Sequence, residues 1–95
     1  MTTKELLKEL EYIAQNSGVV VRREKGNFKS GAAVLKEKKI VLINKNATPE
    51  IAARAIARGL PEDVLQHSFI KPVVREFIEA EAALEKPKFE IVVKY

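Results

Sequence analysis

Thr48-Pro49-Glu50 marks a helix start more sharply than any other triplet in this chain. The threonine can cap, the proline fits the first helical position, and the acid faces the positive end of the helix dipole. The triplet follows closely on Ile40-Val41-Leu42-Ile43, which is apolar on both alternating faces and therefore reads as a central strand. The middle of the chain is thus a buried strand leading into a helix. The helix has Ile51, Ala52, Ala55, Ile56 and Leu60 on its apolar side. Its alanines allow close packing, and Gly59 and Pro61 limit its length.

The remaining elements are read outward from this step. Leu6, Leu7, Leu10, Ile13 and Ala14 recur at helical spacing over residues 3–16, with Thr2 and Glu5 placed for a capping box and Asn16-Ser17-Gly18 as the stop. Val19, Val20 and Val21 are β-branched, and residues 19–23 predict a strand. Residues 24–31 read as a long turn that returns the chain, and residues 32–35 as a second, weaker strand. Pro61-Glu62-Asp63 can open a short helical turn. Pro72 starts a longer helix bearing Val73, Val74, Phe77, Ile78 and Leu84, with Glu76, Glu79, Glu81 and Glu85 expected on its solvated side. After Pro87 the chain alternates, with Phe89, Ile91, Val93 and Tyr95 on one face. Strands bunched first and helices after them predict an α+β fold: a small antiparallel sheet of three to four strands, helices packed on one face, in the order αβββαα(β). Residues 1–95 form one domain in this reading, since 95 residues suit one core and are too few for two.

Composition narrows the function classes. No apolar run approaches the eighteen or so residues of a membrane span, and the N-terminal residues lack a secretory pattern, so a soluble cytoplasmic protein is expected. The chain has no cysteine, which fits a reducing compartment and removes disulfides, thiolate nucleophiles and thiolate zinc sites. His67 is the sole histidine. Its neighbour Ser68 lies on no glycine elbow, so it reads as an ordinary loop or surface histidine rather than a general base. No phosphate-binding glycine motif is present; Gly26 and Gly31 sit between strands, not ahead of a helix. No catalytic, cofactor-binding or metal-ligating set emerges, and no enzyme or cofactor is expected.

The net charge of +4 is unevenly spread: residues 19–46 carry eight cations against Glu24 and Glu37, a local balance of +6. Arg22, Arg23, Lys25, Lys29, Lys38 and Lys39, with Phe28 as the one aromatic, could follow a phosphate backbone and stack a base. The competing reading is a set of charged turns around apolar strands, with lysines guarding sheet edges.

Ile43-Asn44-Lys45-Asn46-Ala47-Thr48-Pro49-Glu50 resembles the core of ImmA/IrrE-type metallopeptidase-like domains, in which helix, small sheet and active-site helix follow in this order. The resemblance covers residues 5–66, and small uncharacterised bacterial proteins with the same look are also plausible relatives. In that family the helix carries His-Glu-x-x-His. Laid on by spacing, these positions fall on Arg58, Gly59 and Glu62, so the resemblance implies a remnant without zinc or peptidase activity, kept for interaction. The expected function is therefore a non-catalytic protein-interaction or scaffold domain. Phe89, Ile91, Val93 and Tyr95 are the candidate contact with a protein partner or a second copy, and weak nonspecific nucleic-acid binding is the alternative.

Overall fold

Helix α1 (Thr3–Asn16) leads into three strands, β1 (Val20–Glu24), β2 (Gly31–Leu35) and β3 (Lys38–Asn44). The helices α2 (Pro49–Gly59), α3 (Val64–His67) and α4 (Pro72–Glu85) follow. They come from a computed structural model that describes residues 1–35, 38–61, 63–67 and 69–85. The alternating run with Phe89, Ile91, Val93 and Tyr95 lies outside the described residues, and so does the side chain of His67.

The local signals operate as physical chemistry requires. The Thr2 hydroxyl accepts from the Glu5 backbone N–H at 3.1 Å, and the Thr2 N–H donates back to Glu5 Oε1 at 2.8 Å, completing the capping box. At α2 the Thr48 hydroxyl accepts from the Ile51 N–H at 3.2 Å, with Pro49 in the first turn. Gly18, at φ 79°, takes the left-handed conformation that lets Val19 turn straight into β1.

The sheet is mixed rather than antiparallel. Its order is β1-β3-β2; β1 runs parallel to β3, from Val20 opposite Ile40 to Glu24 opposite Asn44, and β2 runs antiparallel to β3. β3 is central, as its two apolar faces predict, and this centrality is what overturns the antiparallel sheet. The segment 24–31 does not fold β2 back alongside β1. It carries the chain across the end of β3, so β1 and β2 lie two inter-strand spacings apart, about 10 Å. Asn44, the last residue of β3, holds this crossing. Its Nδ2 donates to the Gly26 and Phe28 carbonyls at 2.8 and 2.9 Å, and its backbone N–H donates to Ser30 Oγ at 2.9 Å.

Val41 and Ile43 point to the face covered by helices and are fully or almost fully buried. Ile40 and Leu42, on the other face, are half-buried, and Val20 on that face is 41% exposed. α2 lies over β2 and β3, bringing Ala52, Ala53, Ala55, Ile56 and Ala57 into the core; α1 packs on α2 and β1, and α4 packs on α2 and touches α1. Leu10, Ile13, Val74 and Ile78 are buried with them, each contributing about 1.5–3 kcal/mol by leaving water.

One of the four glutamates expected on the wet side of α4 behaves otherwise. Glu76 and Glu79 are exposed, but Glu81 is buried and accepts hydrogen bonds from Arg54 Nε at 3.0 Å and Arg58 Nε at 3.2 Å. Glu81 follows Val74 by seven residues and Ile78 by three, so the helical period carries it onto the buried stripe. Arg54 and Arg58, one turn apart on α2, meet it there with their own guanidinium groups partly in water.

Candidate functional site

Three places were singled out by sequence: the basic strands, the helix of the metallopeptidase resemblance, and the alternating C-terminal run. The last lies outside the described residues. The first two are rearranged by the fold, and a fourth place emerges from it.

The basic residues do not form one patch. Arg22 and Arg23 are neighbours on a strand and so face opposite ways. Arg22 pairs with Glu24 at 2.9 Å on the open face, whereas Arg23 reaches Glu11 of α1 and closes a groove of about 250 Å³ lined by Gln15, Val19 and Val21. Both cations are thereby partnered. Lys39 is exposed near the start of β3, at the end where β1 also begins; Lys38 opens the strand, and its side chain is not among those described. Lys25 and Lys29 lie at the opposite end of the sheet, about 20 Å away along β3, in the segment that crosses above Asn44. Lys45 joins them there, because it directly follows Asn44. It was missing from the sequence candidates, although its place just after a strand was a usable signal.

Helix α2 ends at Gly59, with Leu60 as its C-cap, so the positions corresponding to His-Glu-x-x-His are not on one continuous helix. Arg58 offers a permanently charged guanidinium bound to Glu81, and Gly59 has no side-chain donor. This pair of residues does not fit a zinc site. Among the described residues no three His, Asp or Glu side chains come together as metal ligands.

The place that sequence reading missed is a groove of about 430 Å³ between α1 and residues 69–71, lined by Glu9, Tyr12, Ile13, Asn16, Phe69, Ile70 and Lys71. Adjacent residues on this extended stretch point apart: Ile70 is buried, which drives Phe69 outward until it is 94% exposed. Tyr12, on the facing helix, is 65% exposed. The Lys71 ammonium meets Glu9 at 3.0 Å and ties the two sides together. Arg75 Nη2 donates to the Leu65 carbonyl at 3.2 Å, fixing the start of α4 against α3. In Phe69-Ile70 the sequence shows only that two large apolar residues are adjacent outside a helix. Which one is buried depends on the packing of α1 and α4.

No described helix is long and apolar enough to cross a membrane. Comparisons of the chain with protein-family models, with curated proteins and with solved structures each returned no match.

Proposed function

We propose that this chain is a non-catalytic interaction domain of the cytoplasm, that its contact surface is the groove between α1 and residues 69–71, and that the groove receives a second copy of the same chain. The observation that carries this reading is the exposure of Phe69, 94% in water beside the half-open ring of Tyr12. Burying one phenylalanine recovers about 1.5–3 kcal/mol, so each copy that docks a ring gains from the contact.

A second copy suits the groove because the same residue both protrudes and lines it. In a two-fold arrangement each Phe69 enters the other copy's groove, whose rim is already neutralised by the Glu9–Lys71 pair, so two copies can meet there without an unpaired charge. The lack of cysteine supports a reducing compartment, and a guanidinium at Arg58 beside a glycine at Gly59, neither a metal ligand, supports a role without metal chemistry.

Sedimentation velocity over a concentration series tests the proposal. The wild-type chain is expected to shift toward a dimer as concentration rises, while Phe69→Ala stays monomeric with an unchanged circular dichroism spectrum. A wild-type chain that remains monomeric throughout, or a Phe69→Ala variant that dimerises equally well, overturns it. If Ile91→Lys rather than Phe69→Ala abolishes association, the contact belongs to the alternating run instead.

A further inference from the structure

We infer that the end of the sheet formed by residues 25–30 and Lys45 is a contact surface for single-stranded nucleic acid, separate from the Phe69 groove. Its basis is what the fold assembles around Asn44. That side chain holds the Gly26 and Phe28 carbonyls through Nδ2, and through Oδ1 it accepts the Asn46 N–H at 3.0 Å. The Lys45 N–H donates to the Glu24 carbonyl at 3.0 Å. The segment before β2 and the segment after β3 are thus locked to each other by one asparagine and one strand-end hydrogen bond.

The lock brings Lys25, Lys29 and Lys45 to one end of the molecule. All three are exposed, and none makes an ion pair with a described residue. The contrast with Arg22 and Arg23 decides which cations can meet a partner: those two are already bound by Glu24 and Glu11. Phe28 stands between the lysines, three residues after Lys25 and one before Lys29, with its ring packed over Gly26 and the residue only partly open to water. A Cβ at Gly26 would lie 3.1 Å from that ring, and the φ of 154° there is one that side chains rarely adopt, so the glycine makes the room the ring occupies.

Three exposed lysines and one partly open aromatic ring at the same end of the sheet match the chemistry of a nucleic-acid strand better than that of an acidic peptide. Lysines neutralise phosphates as point charges without demanding a fixed geometry, and the ring offers a flat surface on which one base can stack. A base can reach it only when unpaired, which selects single strands over duplexes. Nothing in this arrangement reads base edges, so binding is independent of sequence. With three lysines it covers only a few nucleotides.

The test is fluorescence anisotropy of a labelled twelve-nucleotide thymidine strand with the full chain, from low salt to above physiological salt. Three phosphate contacts on a single strand predict a slope of log affinity on log salt of about −2. Replacing Lys25, Lys29 and Lys45 together by glutamate is expected to abolish binding, while Lys39→Glu leaves it unchanged. Phe28→Leu keeps an apolar side chain over Gly26 but removes the stacking face, and is expected to weaken binding about five- to 100-fold at an unaltered salt slope. Absence of binding at low salt overturns the inference, and so does a triple variant that binds as well as wild type. A duplex or polyglutamate that competes as strongly as the single strand, together with a silent Phe28→Leu, would make the surface a contact for acidic proteins and overturn it as well. None of these variants alters the Phe69 groove, so association and nucleic-acid binding fail independently.

Discussion

Residues 25–30 and residues 69–71 are both short connections that display an aromatic ring, and they are held in place by opposite means. In the first, a polar side chain, Asn44, grips the backbone on either side of residue 27, and the ring of Phe28 stays half-buried against Gly26. In the second, an apolar side chain is the anchor: Ile70 is buried in the core, and Phe69 is turned out as a result. The comparison teaches that an aromatic in a short connection need not be loosely held. A ring can be positioned by what its neighbour buries or by what grips its backbone.

Removing the two anchors in turn sharpens this difference. The largest effect is expected for Ile70→Ala, which empties a core position and should cost about 2–4 kcal/mol in urea unfolding. It should also weaken association, since Phe69 loses the neighbour that aims it. Asn44→Ala is expected to cost less, about 1–2 kcal/mol, because the freed carbonyls of Gly26 and Phe28 lie where water can reach them. Its signature is selective: faster amide exchange in residues 25–30, weaker strand binding, and association unchanged. Gly26→Ala probes the same region through the backbone, at a cost of about 1 kcal/mol measured by thermal melting.

The smallest effect concerns α1, the side of the groove opposite Phe69. The Thr2 backbone N–H donates to Glu5, and with the Thr2 hydroxyl this holds the Glu5 carboxyl below its ordinary value. A depressed carboxyl stabilises the folded state above the ordinary value, and this contribution disappears as pH falls through the folded-state value. In an NMR titration Glu5 should therefore titrate at lower pH in the folded chain than in urea. Glu5→Gln should remove that acid dependence and, at neutral pH, lose the small stabilisation that the ionised carboxylate contributes.

Much of the fold was legible where the determinants are local. Thr2 with Glu5 and Thr48 with Pro49 are short-range devices, and each caps the helix it predicts. The direction of β1 was not legible, because it depends on whether β3 inserts between β1 and β2. Nothing within residues 24–31 distinguishes a tight return from a crossing over a third strand. Asn44 is the clue, and its meaning is visible only once Gly26 and Phe28 lie above it. Of the candidate residues, Lys25, Phe28 and Lys29 do come together. Arg22 and Arg23 are separated by the pleat, and Lys39 by the length of β3. Phe69 is not singled out by any local pattern, and Glu81 is expected on the solvated side of its helix but is buried. The seven-residue spacing from Val74 could have flagged Glu81, whereas only tertiary packing turns Phe69 outward.

The placement of β3 between two strands that precede it also sets an order of events in time. In the β2–β3 pair the sequence separation shrinks from Gly31 opposite Leu42 to Leu35 opposite Lys38, so each rung shortens the chain that the next must close. In the β1–β3 pair it stays at 20 residues, from Val20 and Ile40 to Glu24 and Asn44, and zipping brings no such gain. The hairpin is then expected to form early and β1 to arrive late, docking with α1, to which it is joined by the Val19 N–H to Ala14 carbonyl bond of 2.9 Å. Substitutions in β1 should therefore mainly speed unfolding, and substitutions in β2 or β3 mainly slow folding.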